Sequence, residues 1–283
     1  MKKILPVLFV LLGSAGQTQA QAALNIMSFN IRLNLASDSL NAWPHRKGFV
    51  ASEVQFHDVQ ILGVQEALYE QMTDLQQLLP RFKHCGVGRD DGTTKGEFSA
   101  IFYDSVRFKA LDNQTFWLSE TPSVAGSKSW DAAITRIVTW VKFKDLKTQK
   151  IFFVFNTHFD HIGHEARKNS AVLLKEKVFA LTSKYPALIM GDFNSSKDDE
   201  PIRVLLDKKS GKFFTDANDI SLTPHYGPGG SFNAFGPKET SDKPIDFIFI
   251  KGEAKVLKHA HISQTWNGRF ASDHFAVFAR VIL

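Results

Sequence analysis

From Leu24 to Leu33 apolar and polar residues alternate (LNIMSFNIRL), which predicts a strand whose end turns polar. Trp43 to Phe56 has helical spacing, follows Asn41 and carries Pro44 in its first turn, so it predicts a helix. Val59 to Val64 is a short apolar run ending in Gln65-Glu66, the pattern of a buried strand, and Leu68 to Leu79 is helical up to the stop at Pro80. Strand-like runs follow at Phe98 to Tyr103, Phe108 to Leu118, Ile134 to Phe143 and Ile151 to Asn156. Gly163 to Lys184 is the strongest helix, with Ala166, Ala171, Leu174, Val178 and Leu181 along its inner face. Short strands return at Ala187 to Met190, Ile245 to Ile250 and Phe275 to Leu283. Strand pairs in the middle, with βα units on either side, predict two central sheets covered by helices rather than one parallel sheet.

Composition sets the scale. The 283 residues contain no Pro-, Ser- or Gly-rich linker, no low-complexity tract and no repeat of solenoid period. Hydrophobic content of 43% with 25 Phe residues can fill a sizeable core. Lys2 and Lys3, the apolar run Ile4 to Leu12 and the small-residue site Ala20-Gln21-Ala22 read as an export signal over residues 1–22. The expected mature domain is therefore 23–283, monomeric and secreted or periplasmic, with no stable membrane span after cleavage, because the apolar run is short for a bilayer. Cys85 is the only cysteine, which excludes an intrachain disulfide and a cysteine zinc site. The formal charge of +5 falls once Lys2 and Lys3 are lost. It favours approach of an anionic substrate, but no dense basic block marks a nucleic-acid arm.

Candidate chemistry lies where apolar runs end. Asn30 follows Ile26 to Phe29, and Glu66 follows Ile61 to Val64. His158 and Asp160 follow Ile151 to Phe155; Asp192 and Asn194 follow Ala187 to Met190. Asp246 opens Phe247 to Ile250, and Asp273-His274 precede Phe275 to Phe278. A strand end holds a side chain rigidly while leaving its tip open to solvent. Any one of these residues is ordinarily a turn former or cap. As a set they supply hard oxygen ligands and two potential bases. Residues two apart on an extended segment point the same way, so Asp192 and Asn194 can face one site with Phe193 anchored below.

In order, the segments SFNIR (28–32), VQEA (64–67), TRIVTW (135–140), NTHFDH (156–161), GDFN (191–194), IDFIF (245–249) and SDHF (272–275) resemble the endonuclease/exonuclease/phosphatase superfamily. The resemblance covers essentially the whole mature chain. Trp43 to Arg46, Gly88 to Gly92 and Phe116 to Pro122 are similar to a bacterial branch of exported members; Ala276 stands where many relatives have proline. The resemblance implies a four-layer α/β sandwich, two mixed and largely antiparallel sheets flanked by helices, with the active site at one end.

It also implies a phosphoesterase, a diester being favoured over a monoester, in which an activated water attacks in line. Glu66 becomes the principal metal ligand, assisted by Asn30 and Asp273, and oxygen-only ligation favours Mg²⁺, with Mn²⁺ as a substitute. His274, oriented by Asp246, forms a base dyad, while Asp192 and Asn194 align water and phosphate; either Asp192 or His274 takes the proton. His158 donates to a phosphoryl oxygen, and Arg136 is placed near the phosphate. Substrates of this chemistry include phosphorylated small molecules, lipid head groups and nucleic acid. Two rivals are a zinc hydrolase using His158, His161 and His164, and a binding module without activity on the same scaffold.

Overall fold

The protein is seen in a computed structural model that describes residues 22–283. The proposed export signal therefore lies outside the described residues except for Ala22. In chain order the elements are β1 (Leu24–Asn30), α1 (Trp43–Phe56), β2 (Ile61–Ala67), α2 (Tyr69–Leu78), β3 (Phe82–Cys85), β4 (Phe98–Asp104), β5 (Phe108–Trp117), β6 (Ile137–Asp145) and β7 (Ile151–His158). Then follow α3 (His164–Thr182), β8 (Ala187–Asp192), α4 (Glu200–Leu206), β9 (Thr215–Asp216), β10 (Asp246–Lys251), β11 (Lys255–Ile262), the short pair β12 (Thr265–Trp266) and β13 (Arg269–Phe270), and β14 (Ala276–Ile282).

Two six-stranded sheets result, ordered β11-β14-β1-β2-β4-β3 and β5-β6-β7-β8-β10-β9. Each has a parallel pair, β1 with β2 and β7 with β8, and the remaining pairs are antiparallel. A parallel pair needs a crossover. Helix α1 supplies it in the first sheet and α3 in the second.

Alternation along the strands builds the layers. Ile26, Ile61, Val154, Leu188 and Met190 meet between the sheets. Met27, Phe29, Leu62 and Val64 face outward onto α1 and α2 through Trp43, Val50, Val54, Met72 and Leu75. Phe153, Phe155 and Ile189 face the other way onto Ala171, Leu174 and Val178 of α3 and Ile202 of α4. The four-layer α/β sandwich is thus observed.

Several local expectations need correction. Strand β1 stops at Asn30 instead of Leu33, because Arg32 turns the chain with φ 56°. Strand β2 runs past Val64 to Ala67 across a register shift. Leu181 is 36% exposed; Thr182, four residues beyond Val178, takes the inward position. Strands β3, β9 and β11 and helix α4 were not apparent in the hydrophobic pattern. In β11 the inward positions include His259 and His261, which no apolar periodicity marks. Among the described residues no helix is long and apolar enough to cross a membrane.

Candidate active site

Strand register assembles the centre of the site. His158 is paired with Asp192 across β7 and β8, and Asp192 with Asp246 across β8 and β10. Three chemically active residues, widely spaced in sequence, therefore stand in one row at one end of the second sheet. Gly191, before Asp192, has φ 153° and lies so close to the Thr157 carbonyl that a Cβ could not fit. The first sheet brings Asn30, Glu66, Asp273 and His274 to the same end. Glu66 is aimed there by the bulge between Val64 and Ala67, with φ 62°. A bulge re-aims a side chain, and a positive φ in a non-glycine residue stores strain. Asn194, with φ 45°, is held in the same region.

The polar contacts join the two sheets. His274 Nδ1 lies 2.8 Å from Asp246 Oδ2, and Ser231 Oγ donates to that same oxygen at 2.7 Å. His274 Nε2 faces Asp192 Oδ2 at 3.8 Å. Asn30 Nδ2 donates to Glu66 Oε1 and to Asp192 Oδ2, each at 3.0 Å. Glu66 Oε2 accepts from the Leu33 amide at 3.1 Å. Asn194 donates its backbone amide to Asp192 Oδ1 at 2.9 Å, and its Nδ2 approaches His158 Nε2 at 3.0 Å. Asp273 Oδ1 accepts from Ser272 Oγ at 3.2 Å, and Arg32 lies 3.8 Å from Oδ2.

Burial and charge set the titration of these groups. Burial, together with Asp246, pushes the Asp192 carboxyl up to about 7, against the pull of His274 and its hydrogen bonds. Burial raises Asp273 as well, with Glu66 adding to it. Burial would lower His274, but Asp246, Asp192 and Asp273 overcome it and raise the imidazole to about 10. Burial and the charge of Arg136 hold His158 well below the usual histidine range, so it is neutral.

These carboxylates suit a hard cation. Glu66 and Asp273 offer oxygen donors beside the row; burial first, and neighbouring acids second, raise Asp192 and Asp273, and a cation would offset both by neutralising charge there. Among the described residues, Asp192, Asp246 and His274 form the only group of three acids or imidazoles with ligand atoms within 4.8 Å of one another. Their close approach is the hydrogen-bonded dyad with Asp192 beside it, and a cation between His274 Nδ1 and Asp246 would have to break that bond. Glu66 and Asp273 are therefore the better acidic ligands. Asn30 turns its amide nitrogen to the carboxylates while its Oδ1 accepts from the Arg32 amide at 3.0 Å, so it ligates through oxygen only after the amide turns over.

The structure does not gather the three histidines of the zinc alternative. His158 faces Asn194, His161 Nδ1 faces Arg136 Nη2 at 3.2 Å, and His164 Nδ1 faces Arg167 at 3.2 Å. Asp160 does not join the row either. It accepts from the amides of Ala133, Ile134, Ile162 and Gly163, stapling two loops beside the site. Arg136 is 5% exposed, with Nε buried and unpartnered, and adjoins His161 and Asp160.

Supporting residues escaped the sequence reading. Buried Arg46 donates to the carbonyls of Asn41, Ile31, Arg32 and Ala271, fixing the turn after Asn30 and the segment before Asp273. Asn156 donates to Val64 and Ala100 carbonyls and accepts from Gln65 at 2.6 Å, locking the sheets together. Ser231 lies in a loop without periodicity. The segments Trp43 to Arg46 and NTHFDH contain Arg46 and Asn156, but only their contacts reveal what they hold.

Residues 27–274 match the model of the Endonuclease/Exonuclease/phosphatase family. An endonuclease/exonuclease/phosphatase from Bacteroides vulgatus is 36% identical, with TM-score 0.88, over 93% of this chain and 99% of that one. A mannosyl-6-phosphatase from Bacteroides thetaiotaomicron is 36% identical, with TM-score 0.87, over 92% of this chain and 100% of that one. The human Nocturnin catalytic domain, 18% identical with TM-score 0.72, covers 92% of this chain and 94% of its own and shares the fold.

Proposed function

The chain belongs to the endonuclease/exonuclease/phosphatase family, and from that premise we propose that it is a divalent-metal-dependent phosphoesterase that hydrolyses a phosphate monoester. The observation that carries this reading is the row His158–Asp192–Asp246 on adjacent strands, completed by His274 bonded to Asp246. The sequence favoured a diester. The buried guanidinium of Arg136, near enough to lower His158, instead suits the second negative charge of a monoester. The similarity to a mannosyl-6-phosphatase over its full length supports the same choice and makes a hexose 6-phosphate the first substrate to try.

In this proposal Glu66 and Asp273 would hold Mg²⁺, with Asn30 joining through Oδ1 after its amide turns over. Such a cation would supply Lewis-acid stabilisation of the negative charge that develops on the phosphate. Asp192 receives the water through Oδ2, with its other oxygen fixed by the Asn194 amide. The water oxygen forms a new bond to phosphorus as the bond to the leaving alkoxide breaks. The water's proton passes to the Asp192 carboxylate and on to the departing alkoxide, while His274, already an imidazolium held by Asp246, stabilises Asp192 in its charged form. Neutral His158 donates to a phosphoryl oxygen through Nε2 once Asn194 Nδ2, now 3.0 Å from that atom, turns away from it, and Arg136 pairs with the charge that remains.

The test is a metal-supplemented assay on mannose 6-phosphate, 4-nitrophenyl phosphate and bis(4-nitrophenyl) phosphate. Magnesium-dependent release of phosphate from the two monoesters, faster than diester cleavage, is expected. Preferential cleavage of the diester overturns the monoester assignment.

A further inference from the structure

We propose that Arg89 and Glu97 form a recognition pair for adjacent hydroxyl groups on the alcohol portion of the substrate, making this site selective for a phosphorylated polyol. The inference rests on the monoester reading above and concerns the side of the substrate away from phosphorus.

Both residues stand on the hairpin between β3 and β4, and the hairpin is firmly built. Arg89 donates its amide to Glu97 carbonyl at 3.1 Å, Asp90 to Lys95 at 3.0 Å, and Gly88 bridges Phe98. The Trp117 indole donates to the Arg89 carbonyl at 2.6 Å, tying the hairpin to β5. Gly96, with φ 80°, leaves room only for the Asp90 carboxylate, which a Cβ would meet at 2.6 Å.

This hairpin borders the active end. Phe98 is paired with Ala67, the residue after Glu66, so Glu97 precedes the strand position beside the expected metal ligand. Glu97 lies within the field of Arg89, Glu66 and Arg136, and Arg89 within that of His158.

The chemistry of the pair favours a neutral polar ligand. Arg89 Nη1 donates to Glu97 Oε2 at 2.6 Å, with side-chain exposures of 13% and 14%. Arg89 Nη2 and Glu97 Oε1 have no partner among the described residues and are not sealed from solvent. A free guanidinium N–H beside a free carboxylate oxygen can donate to one hydroxyl and accept from its neighbour. A second phosphate would gain Arg89 but meet the Glu97 charge, whereas a diol satisfies both. Arg136, whose Nε is unpartnered and whose carboxylate neighbour Asp160 stands 3.9 Å off, beyond hydrogen-bond distance, is left for the phosphoryl group.

The experiment measures kcat and KM of wild type, Glu97→Gln and Arg89→Met with mannose 6-phosphate and with 4-nitrophenyl phosphate, which has no hydroxyl to read. The ratio of kcat/KM for the sugar over the aryl ester should fall about 10- to 100-fold in each variant, mainly through KM for the sugar. An equal loss on both substrates, or an unchanged ratio, overturns the pair. If either variant fails to fold, wild type is compared on deoxy analogues of mannose 6-phosphate. A loss of about 10-fold or more at two adjacent hydroxyls is expected, and equal rates across the analogues overturn the pair. Failure of wild type on the aryl monoester, with diester cleavage retained, overturns the functional reading and the pair with it. Monoester turnover without discrimination overturns the pair alone.

Discussion

His274 and His259 are equally hidden from solvent, and each presents Nδ1 to one close partner, yet they end in opposite charge states. His274 is 6% exposed and meets the Asp246 carboxylate at 2.8 Å; His259 is 3% exposed and meets the imidazole of His225 at 2.9 Å. Burial lowers both. Three nearby carboxylates reverse it at His274 and raise the group to about 10. At His259, burial is reinforced by His261 and His225, and the group falls to about 3. His261, whose Nδ1 lies 2.9 Å from the Pro228 carbonyl, falls to about 4. Burial alone makes a neutral structural imidazole; a buried carboxylate beside it makes a charged group suited to proton traffic. The distinction separates the active end from the outer β11 region with its loop Thr223 to Pro228.

The sharpest break in that comparison is truncation. His274→Ala should lower kcat of the folded protein by ~10²–10⁴-fold in a steady-state assay, on top of the stability lost when buried Asp246 loses its partner. His259→Gln should spare the chemistry, leaving kcat of the folded protein within about 3-fold while weakening stability by ~1–3 kcal/mol. If His259→Gln removed activity without destabilising the fold, the division between the two regions would be wrong.

A smaller effect follows from acid. His259 and His261 have folded values below the ordinary 6.5, so the unfolded chain binds their protons first as pH falls. Their contribution is complete above pH about 6.5 and is lost progressively between there and about 4 for His261 and about 3 for His259. At pH 5 each should cost about 2 kcal/mol relative to pH 8. Denaturant unfolding against pH should show this slope in wild type and a shallower one in His259→Gln; identical slopes would contradict the neutral assignment.

The smallest expected effect concerns Ser231, which donates to Asp246 and accepts from the amides of Ile245 and Asp246 at 3.0 and 3.1 Å. Ser231→Ala should reduce kcat about 3- to 10-fold, the worth of roughly one ordinary intramolecular hydrogen bond. It should also shift the pH–rate profile, whereas a purely structural role would lower rate evenly across pH. Ser231→Thr should restore the profile in part.

The candidate residues were more legible in the sequence than the groups that support them. Strand ends could be read because apolar runs stop abruptly at Asn30, Glu66, His158 and Asp192, and the structure brings these residues to one end of the sandwich. The register that aligns His158, Asp192 and Asp246 could not be read, because pairing between strands depends on contacts far apart in sequence. Glu66 was visible as a residue, but not its bulge. Strand β11 was hidden because His259 and His261 occupy inward positions where periodicity expects apolar side chains. Arg46 and Ser231 were hidden for a related reason: each serves by hydrogen bonds to distant backbone or carboxylate groups, and neither leaves a spacing pattern.

The central claim is that Glu66 anchors a divalent cation beside the Asp192–His274–Asp246 assembly. It is tested most directly by titrating Mg²⁺ into metal-stripped wild type and Glu66→Gln, following both metal binding by calorimetry and phosphate release from mannose 6-phosphate. Wild type should be silent without metal and recover in parallel with binding, while Glu66→Gln should need at least ~10-fold more Mg²⁺, the scale of one lost charged ligand. Full turnover by stripped wild type, or a binding isotherm in Glu66→Gln that overlays the wild-type curve, would contradict the account.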